Sequence, residues 1–475
     1  MELFWHRQDL RISDNRGLAH AADRGTVAPV FVFDQDVLDH AGPPRVAYML
    51  DALASLRDEY RERGGDLLIG WGDPADVLSG VGDALGAERV VWNRDYSGLA
   101  RERDARVRTA LDDVGIEREA HHDDVHHKPD SIRTNAGDPY SVYTYYWKKW
   151  QDRAKEDAFA APDDAVADVE SGTVAPDYTR AELPSLNELG FETPEADIQP
   201  AGTEPARRRL EAFCGGDITR YESTRDDISE QATSRLSADL KFGTIGVREV
   251  YERTQQALDS AGDDEREEVR EFQGQLAWRE FYTQVLYHNP EVVTENYKDY
   301  ENPIEWREDP EALQAWKDGE TGYPIVDAGM RQLREEAYMH NRVRMIVASF
   351  LTKDLQLDWR RGYEWFRQKL ADHNTANDNG GWQWAASTGT DAQPYFRIFN
   401  PMTQGERHDP DAEYIKTYVP ELADAEPDVI HSWHELSLTQ RRRSAPDYPD
   451  PIVDHSKRRE ETLSMFEQAR GQADD

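Results

Sequence analysis

The run from Asn379 to Asp391 reads Asn-Gly-Gly-Trp-Gln-Trp-Ala-Ala-Ser-Thr-Gly-Thr-Asp and continues through Pro394-Tyr395-Phe396-Arg397-Ile398-Phe399-Asn400-Pro401. Indoles, small residues, turn formers and hydroxyls are mixed with no helical or strand period. Such a run is poor material for a generic core. It suits a pocket where flat rings and backbone amides meet a planar ligand. A second cluster, Thr233-Ser234-Arg235-Leu236-Ser237, puts hydroxyls and amides into a small volume. At a helix start such groups hold phosphate oxygens, or simply cap the helix. A third group, Trp278-Arg279-Glu280-Phe281-Tyr282, lies on an amphipathic stretch and by itself reads as a core helix with one ion pair.

These residues need a scaffold. At 475 residues the chain is expected to hold two or more domains, because single cores rarely pass roughly 250–300 residues. In residues 1–130, Leu3-Phe4-Trp5, Val27 to Phe33, Asp66 to Ile69 and Arg89 to Trp92 read as strands. Pro44 to Arg63 and Asp73 to Leu85 read as helices between them. The alternation predicts an α/β domain with a Rossmann-like parallel sheet. No G-x-G-x-x-G follows the first strand, so the NAD fingerprint is absent. From about 155 to 205 Ala, Asp, Glu and Pro dominate, as in a long surface connection, and an interdomain linker is placed at 131–205. Residues 206–475 read as an all-α domain, with helix-like spacing over Phe272 to Leu286, Ile325 to Tyr338, Val343 to Asp354 and Trp359 to Leu370.

The charge narrows the setting. There are 94 acidic against 56 basic residues, a formal net of -38. The acids are spread along the chain, which excludes an acidic tail, and no EF-hand spacing appears. A surface adapted to molar salt fits, where the Debye length is about 3 Å and self-repulsion is screened. Net charge says nothing about one groove, so a nucleic-acid partner stays open. The single cysteine, Cys214, allows no intramolecular disulfide and no Cys-rich metal site, and no metal is expected. The N-terminal residues lack a signal peptide's apolar stretch, and no apolar run approaches about 18 residues. A soluble, cytoplasmic protein is expected.

Taken together, the motifs resemble the photolyase/cryptochrome family, essentially over the whole chain and most densely from Tyr221 to Gln404. Within it the chain is most similar to class I enzymes for cyclobutane pyrimidine dimers, in their haloarchaeal form. The resemblance implies that FAD is held folded in the helical domain by Tyr221, Thr233, Ser234, Arg235, Leu236, Ser237, Phe272, Arg279, Arg344, Asp372 and Asn374. Asp378 falls where the family places the residue facing flavin N5. That residue is normally Asn in photolyases, and Asp in plant cryptochromes. A carboxylate there would be repelled by a reduced flavin, so either Asp378 is protonated or Asn377 or Asn379 takes the contact. Trp306, Trp359 and Trp382 fall at the family's electron relay from surface to flavin.

The same resemblance implies UV-damaged DNA as partner and a monomer. A flipped dimer would enter a cavity over the flavin, accept one electron and open. Gln275, Trp278, Tyr282, Asn341, Arg342, Met345 and Trp384 would meet the lesion, and Arg225, Arg397 and Gln404 the strand. Arg331, Arg334, Arg342, Arg344 and Arg397 concentrate positive charge beside these aromatics, as a groove for phosphates and an extruded base requires. Gln275 matches six-four photolyases, but Asn341 and Met345 match the enzymes for cyclobutane dimers and outweigh it. A second, antenna chromophore is implied at the α/β domain. Leu99-Ala100 stand where folate-binding relatives carry Asn-Glu, which favours 8-hydroxy-5-deazaflavin over methenyltetrahydrofolate. The alternative reading is a cryptochrome-type blue-light photoreceptor.

Overall fold

The computed structural model describes residues 1–471. Strands β1 (Glu2–His6), β2 (Val27–Phe33), β3 (Leu68–Trp71), β4 (Arg89–Asn93) and β5 (Glu117–His121) run parallel in the order β5-β4-β1-β2-β3. A short β6 (Thr179–Arg180) adds antiparallel to the edge of β3. Every residue of β1 and β2 is buried, which is why they read as continuous apolar runs and not as alternations. Helices α1 (Arg16–Ala22), α2 (Pro43–Glu62), α3 (Pro74–Leu85) and α4 (Gly98–Val114) belong to this domain. Asn15, Asp73 and Ser97 cap three of them through their side chains.

Three departures from the sequence reading have plain causes. β3 starts two residues later than the apolar run suggests, because Asp66 is engaged by Arg57 at 2.7 Å. β5 was not expected at all, since Glu117-Arg118-Glu119-Ala120-His121 has no apolar pattern and is held by its backbone ladder to β4. The polar segment 131–205 carries more than a surface coil. It contains α5 (Tyr143–Asp152), with Tyr146 and Trp150 buried, and β6, and its Leu183, Leu186, Phe191 and Ile198 pack on the core of the α/β domain.

The second domain is helical. The elements that matter here are α6 (Ser237–Phe242), α7 (Arg266–His288), α8 (Pro324–Glu336), α9 (Asn341–Ser349), α10 (Trp359–Lys369), α11 (Thr375–Ala386), α12 (Pro401–His408) and α13 (His455–Ala469). The expected single helix Val343 to Asp354 is instead α9 followed by a π-helical turn at Phe350–Asp354, with Lys353 and Asp354 buried. Buried charges lock the two domains: Arg248 meets Asp14 at 2.6 Å and also pairs with Asp123, while Arg11, which holds Asp123 at 2.6 Å from within the α/β domain, donates to the Gly243 carbonyl at 3.1 Å. Arg11 and Asp14 are thus spent on this joint. Among the described residues no helix is long and apolar enough to cross a membrane.

The start of α9 contains a titratable cap. The ring Nδ1 of His340 accepts the Arg342 amide at 3.1 Å, and burial pushes the ring pKa from 6.5 down to about 4. The folded ring therefore stays neutral while the unfolded ring takes a proton as pH falls through 6.5. Stability is lost on that descent, by up to about 3 kcal/mol from this one group. His340→Asn caps without titrating, so thermal melts of the variant should show a shallower loss of midpoint between pH 6.5 and about 4.

Candidate functional site

The site forms where α7, α9 and α11 meet the segment Tyr221 to Ser237. Its centre is Arg344 on α9. The guanidinium donates to Asp372 Oδ2 at 2.7 Å, lies 3.5 Å from Asp378 Oδ1 and donates to the Met339 carbonyl at 2.8 Å. Burial alone would lower its pKa, but Asp372 and Asp378 together hold it above the ordinary value. Tyr338 links this centre to the hydroxyl cluster, with Arg344 5.6 Å and Arg235 3.7 Å from its ring centre. Arg235 also meets Glu336 at 2.8 Å and sits at φ +53°, a left-handed conformation that costs a non-glycine residue energy. Tyr221 stands edge-on to Phe272 at 5.3 Å, while Thr233 and Ser234 remain half-buried and Ser237 exposed.

Asp378 is buried. Burial by itself would raise its carboxyl, yet His373, Arg344 and the Asn374 amide outweigh it and hold the group below the usual carboxylate range. His373 Nδ1 lies 2.7 Å from Oδ2, and the Asn374 amide donates to the same oxygen at 2.9 Å. In the absence of a neighbouring anion the carboxylate is the favoured form here. Its neighbours have partners of their own. Asn379 donates to the Val292 carbonyl at 2.7 Å, and Asn377 donates to Asn374 Oδ1 at 3.0 Å.

Two other expected cofactor contacts are engaged elsewhere. Asn374 Oδ1 caps α11, accepting the Ala376 and Asn377 amides at 3.1 Å each. Arg279 reaches across the domain joint to the Asp124 carbonyl at 2.7 Å and, within its own domain, donates to the Leu240 carbonyl at 3.2 Å. Arg331, read as part of a basic groove, is buried and bound to Glu421 at 2.7 Å. Arg334 reaches the Asp318 carbonyl at 3.4 Å.

Of the residues expected to meet DNA, Arg225, Gln275 and Arg342 are brought together. Arg225 meets Glu271 at 2.5 Å, and Gln275 donates to that same carboxylate at 3.0 Å. Arg342 meets Asp226 at 3.1 Å, one residue from Arg225. Asn341 and Met345 touch on one face of α9, 3.9 Å apart. Trp278 is half-buried and tilts against Tyr282 at 5.4 Å, while Gly380 leaves room for the Tyr282 ring. Trp384 is half-buried beside Phe399, Arg397 is exposed, and Gln404 lies half-buried on α12. The sequence reading missed Glu271, which ties Arg225 to Gln275, and Tyr143, whose ring lies flat on Trp278. The aromatic run around Tyr143 was the available signal, but it fell inside a segment read as a linker.

The three tryptophans differ in exposure. Trp382 and Trp359 are buried, whereas Trp306 is half-exposed. A Cβ on Gly362, one turn after Trp359, would overlap the Trp382 ring, so α10 and that indole are in direct contact. The Arg307 amide, next to Trp306, donates to the Gln356 carbonyl just before α10 at 2.8 Å.

A second concavity of about 470 Å³ lies between the domains. It opens at the carboxyl ends of β1, β2 and β4, where the strand order reverses, the usual ligand crevice of such a sheet. Phe31, Phe33, Leu38 and Met49 give it an apolar side, and Leu99 and Ala100 line it. Arg103 keeps two buried N–H groups without a partner among the described residues, and Lys241 is pushed down to about 8 by burial.

FAD can be tested against the first site. Asp372 Oδ1 is buried and lacks a partner among the described residues, a state that costs about 1–3 kcal/mol unless a ligand or water completes it. A free acceptor beside a guanidinium, with hydroxyls and amides further along, fits the alternating donors and acceptors of a flavin edge and the oxygens of a diphosphate.

An α/β domain joined to helices that enclose such a cluster is the build of a two-domain flavoprotein. Comparison with known proteins gives the family. Residues 272–468 match the model for the FAD binding domain of DNA photolyase, and residues 2–163 match the DNA photolyase model. The chain belongs to the DNA photolyase family. It is 66% identical to a deoxyribodipyrimidine photo-lyase of Halobacterium salinarum, over 99% of this chain and 100% of that one. Its fold is similar to that of a bacterial class III photolyase from Agrobacterium tumefaciens, with TM-score 0.90 and 35% identity over 99% of this chain and 98% of the other. It is also similar to an archaeal photolyase from Sulfolobus tokodaii solved with two FAD molecules, with TM-score 0.83 and 32% identity over 98% and 100%.

Proposed function

We propose that the chain is a deoxyribodipyrimidine photolyase of class I, which repairs cyclobutane pyrimidine dimers in UV-damaged DNA under light. The observation that carries this reading is the Arg344–Asp372–Asp378 cluster, formed by α9, α11 and the turn before α11, with the Tyr338 ring between it and Arg235 of the hydroxyl segment. Bound there, FAD would supply light absorption and a single electron for the lesion. Tyr221, Thr233 to Ser237 and Phe272 border the dinucleotide, and Arg344 and Asp372 hold the polar edge of its ring. Trp306, the half-exposed member of the three, would take electrons from solvent and pass them inward through the buried Trp359 and Trp382.

Enzymes that act on a base, photolyases among them, extrude the target nucleotide from the duplex. Trp278 offers the extruded dimer a ring face, while Gln275, Asn341 and Arg342 offer hydrogen bonds and Met345 an apolar contact without a proton. Arg225, Arg397 and Gln404 hold the strand. The interdomain cavity takes a planar antenna of deazaflavin type. Its apolar wall suits a ring system, the spare donors of Arg103 suit an anionic edge, and Leu99 and Ala100 leave no polar grip for a folate. The protein acts as a cytoplasmic monomer.

One residue favours the photoreceptor reading: the ionised Asp378 at the flavin-facing position. Irradiated DNA incubated with the purified protein separates the two. Dimers are expected to disappear under blue light and to persist in the dark. Persistence in both overturns the repair reading, and product analysis on six-four lesions should show no reversal.

A further inference from the structure

We propose that the outer face of α5, bearing Tyr145, Lys148 and Lys149, is a second docking surface for DNA, set beside the lesion pocket and gripping the strand that flanks the dimer. The inference rests on the repair reading above and adds a surface to it.

Three observations carry it. The first is position. Tyr143, at the start of α5, lies flat on Trp278, with ring centres 3.7 Å apart and planes 11° apart. Its hydroxyl donates to the Gly274 carbonyl, one turn upstream of Trp278, at 2.6 Å. Its amide donates to Asp391 Oδ2 at 3.1 Å, and Thr390 Oγ1 donates to the Ser141 carbonyl at 2.8 Å. The helix is thereby fastened both to the lesion tryptophan and to the turn that leads to Arg397.

The second is facing. Positions 145, 148 and 149 follow i, i+3, i+4 spacing and share one side of the helix. Tyr146 and Trp150, on the other side, are buried. Tyr145 is 59% exposed, among the most open large rings of the protein, and Lys148 and Lys149 are exposed. Lys148 Nζ lies 6.0 Å from the Tyr145 ring centre, so cation and ring stand side by side at the surface.

The third is charge. On a chain of net -38, Lys148 and Lys149 form no ion pair among the described residues, as holds for every described lysine but Lys457, and they are both exposed on the one helix face that also carries an open ring. Nearby Lys155 shows the alternative, since its ammonium is turned onto Trp150 at 3.8 Å. Two free ammonium groups flanking an open phenol ring match a nucleic-acid strand. The cations meet phosphates, and the ring meets a sugar or an unstacked base.

The test is binding of fluorescent duplexes, one carrying a dimer and one intact, by holoenzyme between about 0.1 and 1 M KCl. Lys148→Gln/Lys149→Gln should weaken both duplexes alike. The slope of log affinity against log salt should fall in size by about 1 to 2, at roughly 0.9 per phosphate contact. Tyr145→Ala should weaken binding by about 5-fold or more with an unchanged slope. FAD absorbance reports that each variant is folded; glutamine and alanine are both good helix formers at these exposed sites. Wild-type slopes in the double variant, or a loss confined to the dimer duplex, would overturn the proposal. Light-dependent dimer loss by the wild-type chain is read separately. Its absence would sink the repair reading and leave the salt slopes intact.

Discussion

Arg344→Leu is expected to strip the protein of FAD. The guanidinium is the shared partner of two buried carboxylates, Asp372 at 2.7 Å and Asp378 at 3.5 Å. Breaking a buried pair by removing one partner typically costs about 3–5 kcal/mol, because the other charge is left uncompensated. Expressed on cofactor affinity, that is a loss of a hundredfold or more. The ratio of flavin to protein absorbance after gel filtration should fall close to zero, and the thermal midpoint of the chain should drop. Arg344→Lys should recover only part of either, since an ammonium cannot serve both carboxylates with a planar fork. The variant also shifts the acid limb. A carboxylate held below its ordinary pKa contributes stability that is present above that value and lost as pH falls through the folded one. Without Arg344 the Asp378 carboxyl rises, so acid unfolding should begin at a higher pH than in the wild type. An Arg344→Leu protein that keeps its flavin through the column would remove Arg344 from the cofactor site.

Trp278→Ala should abolish preference for damaged DNA while leaving the flavin in place. One face of this indole is already covered by Tyr143, so the opposite face is the one left for an incoming base. Stacking of a base on an aromatic ring contributes about 1–3 kcal/mol, and loss of that term lowers affinity for the dimer duplex by a factor of roughly 5 to 150. Affinity for intact DNA, which depends on phosphate contacts, should change little. A variant that binds dimer and intact duplexes in the wild-type ratio would show that the lesion is recognised elsewhere. Tyr143→Phe keeps the flat contact and should retain the preference.

Much of the molecule was legible in one dimension. β1 and β2 announce themselves because strands buried on both faces must be apolar throughout, and Val27–Phe33 matches the structure residue for residue. The helices around Trp278, Ile325 and Trp359 follow from spacing alone. β5 escaped because an edge strand held by backbone bonds needs no apolar pattern. The packed elements of segment 131–205 stayed hidden because composition averages over the few side chains, such as Tyr146, Trp150 and Phe191, that do the packing.

At the site the division is sharper. The residue types of the aromatic and hydroxyl motifs, the Asn341 and Met345 pair and the three tryptophans are properties of the chain, and family membership follows from them. Which donor meets which acceptor is not. Arg279 turns to Asp124, Asn374 caps a helix, Arg331 pairs inside the core, and Asp378 gains His373 and Arg344 as neighbours. A side chain's type sets the bonds it can make. Distance and burial choose among them, and through them decide whether a carboxylate keeps its charge, and both arise only when segments far apart in sequence are folded against one another.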